Sequence, residues 1–243
     1  ADLMYTRSQD QAIIRDLAMV QTGTAADGRP IYGSREGSRR EDLVVTNASS
    51  DAKQISFSTS ISKRHDFGLD WSLAYAHIQA EDSNPMTSSV AYSNLNNFAR
   101  SDFYDPKPAT SNYETPHRFT ARLTYTAELF EGYKTTVSLI GSHNKGRPYS
   151  YTFSGSGIAG DYFTGRQLVY VPTGVDDPNV VWGGVTDQNT GVYTPFDTDA
   201  FFDYVNSSGL GKYSGGIAER NAFQSDWWTK VDLRIEQELP GFA

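Results

Sequence analysis

The chain has no cysteine among its 243 residues, which excludes a disulfide framework and any thiolate metal site. It has no run of about 18 apolar residues either. With a mean hydropathy of -0.52, a bundle of membrane-spanning helices is excluded. A basic surplus is also missing. The 29 acidic against 21 basic residues give a net charge of -8, and a pI near 5.0 argues against nucleic acid as a partner. Catalytic frames are lacking. His65, His77, His117 and His143 show neither HExxH nor i, i+4 spacing, and neither a G-x-S-x-G elbow nor a Walker loop is present. His117 begins a predicted strand, where a structural hydrogen bond is its expected role. Asp176, Asp177 and Asn179 carry oxygens suited to calcium but lack EF-hand spacing, and read as a solvated turn before Pro178. The sequence therefore reads as non-enzymatic, with no cofactor and no metal. Ala1 does not open a signal peptide, but an exported protein would have lost one, so this position is silent.

What is present is alternation. Across 227–239, Trp227, Thr229, Val231, Leu233, Ile235, Gln237 and Leu239 fall on one face. Trp228, Lys230, Asp232, Arg234, Glu236 and Glu238 fall on the other. Successive side chains of a strand point to opposite faces, so this strand has one greasy and one charged side. The pattern recurs at 53–63, 67–78 and 118–130. It recurs again from Tyr133, where it is expected to run past Gly141 into Tyr149, Tyr151 and Phe153. Residues 2–6 read as the end of a further strand. Each long segment has about 10 to 13 residues, enough for a tilted strand to cross hydrocarbon. Ile55, Phe57, Leu69, Trp71, Leu123, Val137, Leu233 and Ile235 are expected to face lipid. Ser58, Asp70, Arg122, Thr124, Asp232 and Arg234 are expected to face a lumen.

Connections alternate between short and long. Arg64-His65-Asp66 and Glu131-Gly132 are tight turns, while 7–50, 80–117 and 154–226 are long and polar. Short turns on one side and long loops on the other match the two faces of an outer membrane. Aromatics mark both strand ends: Phe67, Phe130, Tyr133 and Phe242 near the short turns, Phe119, Tyr149, Tyr151, Trp227 and Trp228 towards the long loops. In the last loop, Asp197 or Thr198 can cap a short helix over 200–205 that ends before Gly209, with Phe201, Phe202 and Val205 packing inward. Five or six strands do not close a membrane barrel, and Pro240-Gly241-Phe242-Ala243 reads as the middle of a turn. The chain is therefore expected to be part of a larger barrel, and not to fold alone in water.

Several stretches resemble a known family. They are MTSSVAYSN at 86–94, SNYETPHR at 111–118, GRPYSYTF at 146–153, LVYVP at 168–172, Glu219-Arg220-Asn221 and VDLRI at 231–235. In this order they resemble TonB-dependent outer-membrane receptors of the Oar-like branch, over most of the chain after Asp27. The resemblance implies an all-β fold: an antiparallel transmembrane barrel of about 22 strands, of which this chain supplies about six, with long extracellular loops. It implies the outer membrane of a Gram-negative bacterium and contact with its lipid. Further implied partners are the remainder of the barrel, a plug and a TonB-type energy-coupling complex acting through that plug; the plug and the final strands are not visible in these residues. The implied function is uptake of a scarce solute, with siderophore, glycan and peptide all open. The alternatives are a non-transport surface protein on the same scaffold, serving adhesion or secretion, and a soluble β-barrel or sandwich binding module.

Two sets of candidate site residues follow. Loop aromatics Tyr92, Tyr104, Tyr113, Tyr162, Trp182 and Tyr193 stand among Asn, Asp and Ser, a mix suited to stacking on and hydrogen-bonding a glycan or peptide, or to packing the loops on themselves. Arg122, Lys230, Asp232, Arg234 and Glu236 are the expected lumen-facing charges. They would either form a cross-strand salt-bridge network or contact a plug or polar solute.

Overall fold

The computed structural model describes residues 1–35, 42–155, 157–161 and 165–241. Strand β1 (Asp2–Ser8) is followed by four short strands, β2 (Ala12–Asp16), β3 (Met19–Thr24), β4 (Pro30–Ser34) and β5 (Leu43–Asn47). Then come β6 (Ala52–Arg64), β7 (Leu69–Asp82), helix α1 (Ala91–Asn96), β8 (Ala109–Thr110), β9 (His117–Phe130) and β10 (Tyr133–Asn144). The last part holds β11 (Pro148–Tyr149), β12 (Tyr170–Val171), β13 (Gly184–Thr186), β14 (Tyr193–Pro195), helix α2 (Thr198–Ser208), β15 (Gly216–Ile217), β16 (Phe223–Gln224) and the long β17 (Trp228–Gln237). Strands hold 48% of the residues and helices 10%, which makes the chain all-β.

The long alternating segments form one antiparallel sheet in the order β1-β6-β7-β9-β10-β17, with β8 added at the end of β7. Register decides which residues share a face, because directly opposite side chains project to the same side. Leu123 lies opposite Trp71 and Leu139, and Tyr125 opposite Leu69 and Val137. Ile235 lies opposite Val137, and Leu233 opposite Leu139. Phe57 is flanked by Leu3 and His77, and Ile55 by Tyr5 and Gln79. All eight residues expected on the apolar face therefore share one side of the sheet. Thr124 lies opposite Asp70 and Ser138, and Ile140 opposite Arg122 and Asp232, so the expected polar set shares the other side. The sheet is open, with β1 and β17 as its edge strands.

Both tight turns lie at one end of this wall. In the first, Gly68 has a φ of +90°, and a Cβ there would fall 2.1 Å from the Thr126 carbonyl oxygen, so only glycine fits the approach of the turn to β9. The turn closes through His65 N–H to Leu69 O at 2.8 Å.

Two expectations are corrected. The fourth strand does not continue into Tyr149, Tyr151 and Phe153; β10 stops at Asn144. A Cβ on Gly146 would lie 2.6 Å from the Asp226 carbonyl, and Pro148 has no N–H for a ladder. The chain leaves the wall there and pairs β11 with β16 instead. The 7–50 connection is folded rather than a plain polar loop: β2 pairs β5 and β3 pairs β4, with Ile13 wholly buried. Strands of five or six residues alternate too briefly to stand out from their polar neighbours.

The buried cores lie in the long connections, not in the wall. One joins Ile14, Tyr32, Leu95 and Phe103; the other joins Val171, Val205, Leu210, Ala218 and Phe223. Helix α2 has the expected caps. The Asp197 carboxylate accepts from Ala200 N–H at 2.9 Å, and Gly209 ends the helix at a φ of +81°. Val205 is buried, Phe201 packs against the second core, and Phe202 packs against Phe201 and Trp182.

Candidate functional site

The first candidate surface is the apolar face of the wall. None of the described residues covers it: Ile61 is 61% exposed, Leu73 51%, Leu233 65% and Ile235 65%. At its long-loop end runs a band of rings. Trp227 stacks on His143 with centroids 4.6 Å apart, Phe119 lies 4.8 Å from Tyr75, and His77 lies 4.8 Å from His117. His117 Nδ1 bonds the Tyr75 hydroxyl at 2.9 Å, which agrees with the structural role expected for it. At the short-turn end Phe67 and Phe130 are exposed, and Phe67 lies 5.0 Å from His65. Phe242 lies outside the described residues.

The polar face carries the expected charges, but their pairing is not cross-strand along β17. Lys230 bonds Asp232 at 2.8 Å and Arg234 pairs with Glu236, both two residues apart on one strand. The reason is the partner strand: opposite Lys230, Asp232, Arg234 and Glu236 stand Ser142, Ile140, Ser138 and Thr136, none of them charged. Arg122 Nε donates to the Thr124 hydroxyl at 3.3 Å. Such exposed pairs contribute little stability.

The second surface is the cap made by the long connections. Of the loop aromatics, Tyr104 stacks on Tyr32 at 6.2 Å beneath the Arg15 guanidinium, so it holds the cap together. Tyr92 stands on α1 and Tyr113 is 69% exposed before β9. Trp182 stacks on Phe196 at 5.4 Å and donates from its ring nitrogen to the Val175 carbonyl. Tyr193 is exposed on the β13–β14 hairpin. Tyr162 lies outside the described residues. These rings are spread over α1, the segment before β9 and the β13–β14 region rather than lining one site.

The acidic turn before Pro178 is present with Asp176 and Asn179 exposed, as expected, but Asp177 is not solvated. Asp177 is buried and accepts from Thr173 N–H, Asn179 N–H and the Tyr170 hydroxyl. Those backbone donors hold its carboxyl below the usual carboxylate range. Among the described residues no cluster of His, Asp and Glu suits a metal ion.

The sequence reading missed a set of buried arginines. Arg166 is paired with Asp161, Arg29 with Asp27, and Arg220 with Asp82. Arg29 also donates to the Leu168 carbonyl at 2.8 Å and so ties the first connection to the last. Arg100 packs its guanidinium 4.6 Å from the centroids of both Phe98 and Phe103. Alongside Arg100 and Arg220 lies a cleft of about 440 Å³. The one sequence signal was Glu219-Arg220-Asn221, noticed for its resemblance and not for its charge. No protein-family model, no curated protein and no solved structure matches the chain.

Proposed function

We propose that the chain is part of an outer-membrane β-barrel, belonging to a TonB-dependent receptor that takes up a scarce solute. The observation that carries this reading is the uncovered apolar face. It is continuous across the long strands, which have 10 to 14 residues each. That is the length needed to cross hydrocarbon at a tilt. A soluble monomer rarely leaves so extended an apolar surface bare. Rings at both ends of the strands match the two interfaces of a bilayer. The charged face then lines water or a plug, since the same groups in lipid would each cost several kcal/mol.

The open edges of β1 and β17 support a larger closed wall, because unpaired backbone groups are not tolerated in lipid. In this reading the cap lies outside the cell and captures the solute. Passage then runs along the polar face, driven by a TonB-type complex acting on a plug. A soluble binder with its apolar face turned inward is disfavoured, because the two buried cores among the described residues lie in the connections and no described residue packs on the wall's apolar face. A surface protein used for adhesion or secretion shares every feature of the wall. Loss of solute uptake on deletion of the gene separates transport from it.

The topology gives the direct test. Protease added to intact cells is expected to cut only within 7–50, 80–117 or 154–226, the connections at the long-loop end. Cleavage at Glu131 or His65 in intact cells would place the short turns outside and overturn the orientation.

A further inference from the structure

The cleft in the cap has a volume of about 440 Å³. Its lining includes Phe98, Arg100, Asp102, Lys107, Glu219 and Arg220. Two of these are cations with little contact to water: Arg100 is 3% exposed and Arg220 4%. Both are incompletely paired. Arg100 gives one nitrogen to the Leu95 carbonyl, and its Nε and Nη2 have no partner among the described residues. Arg220 gives Nη2 to Asp82 and to the Ala109 carbonyl, and its Nε and Nη1 have no partner among the described residues. A buried donor left unmade is costly, and more so on a charged group. The two guanidinium groups share the Phe98 ring, at 4.6 and 5.6 Å from its centroid. Contact with a ring face satisfies part of the charge but none of the N–H directions in the guanidinium plane.

The carboxylates nearby have other partners, although Asp161 and Asp102 both favour the Arg100 charge. Asp102 accepts from the Tyr32 hydroxyl at 2.7 Å and from the Tyr104 and Asp105 N–H groups. Glu219 faces the Tyr213 hydroxyl, and Glu81 pairs with Lys53. Burial, and then the neighbouring Arg166, pushes the Arg100 guanidinium down to about 9, so it remains a cation at neutral pH. The cap therefore holds two desolvated cations beside a cleft of solute size, with four donor nitrogens unmade.

We propose that this cleft binds a small acid, a solute whose carboxylate or phosphate oxygens pair with Arg100 and Arg220. Planar guanidinium groups suit both oxyanions through paired, charge-assisted hydrogen bonds. The inference goes beyond the barrel reading, since it concerns binding alone and holds whether the solute is transported or only captured. The test is calorimetric titration of the natural full-length protein in detergent, with citrate and with inorganic phosphate as separate probes at matched ionic strength. Saturable binding of at least one probe is expected, and which one binds tells carboxylate from phosphate preference. Arg220→Gln is expected to weaken it by at least about tenfold. Because that change also loosens the Asp82 contact, a second variant is needed. Ser101→Trp keeps both arginines and fills the cleft from its lining, and is expected to abolish binding with the thermal unfolding profile unchanged. Absence of saturable binding by either probe, or binding that survives Ser101→Trp, would overturn the proposal.

Discussion

Leu123→Arg is expected to destabilise the wall by about 2–4 kcal/mol and to deplete the protein from the outer membrane. Leu123 sits near the middle of β9, between Trp71 and Leu139, and is 45% exposed with only apolar neighbours opposite it. In water an arginine at so exposed a position would change stability by no more than about 0.5 kcal/mol. In lipid the guanidinium must be dragged from water or must distort the bilayer to reach it. The contrast between these two magnitudes makes the substitution diagnostic. Thr120→Arg places the same charge on the opposite face of the same strand, and a near-neutral effect is expected there. Urea unfolding in lipid vesicles, together with the amount recovered in outer-membrane fractions, reads both variants. Equal tolerance of the two would contradict a lipid-facing surface.

The second large effect concerns the cap. Asp161→Asn is expected to cost the cap about 3–5 kcal/mol while leaving the wall intact. The Arg166 and Asp161 side chains are 3% and 1% exposed, and Arg166 Nε bonds Asp161 Oδ2 at 2.5 Å. Asp161 also accepts from the Gln167 amide at 3.1 Å. Removing the negative charge leaves Arg166 buried close to Arg100, whose charge it already opposes. Arg166 reaches Asn96 at the end of α1, so the loosened region should extend from 157–161 and 165–168 into 80–117. Limited proteolysis of the purified protein is expected to show faster cleavage in both regions, with β6 to β10 still protected. The double variant Asp161→Asn, Arg166→Met should recover part of the loss, since the charge of Arg166 is removed together with that of its partner. A cap as resistant as the parent would show that the ion pair does not hold it.

Most of the wall was legible in the sequence because each of its long strands repeats its alternation over 10 residues or more, long enough for period two to dominate local noise. The two faces followed at once, and the register of Leu123, Val137 and Ile235 bears them out. Helix α2 was legible from Asp197 and Gly209, since each end carries a residue whose role is local. The cap core was not. Ile14, Tyr32, Leu95 and Phe103 meet from segments far apart in the chain, and no periodicity connects them. The buried arginines were missed for a related reason. A charged residue in a polar stretch looks solvated until its burial is known, as with Arg100 and Asp177. The end of β10 was misread because Tyr149, Tyr151 and Phe153 keep the alternation while Gly146 and Pro148 turn the chain away.

The central claim is that one face of this sheet lies in lipid. The chain has no cysteine of its own, so single cysteines can be placed along β9 from Phe119 to Ala127 and spin-labelled in the protein reconstituted into bilayers. Collision rates with oxygen, which partitions into lipid, and with a water-soluble nickel chelate then report the surroundings of each label. The account predicts a strict period of two. Positions 119, 121, 123, 125 and 127 should favour oxygen, and positions 120, 122, 124 and 126 should favour nickel or be shielded from both. Odd positions open to nickel, or an oxygen profile without alternation, would contradict it.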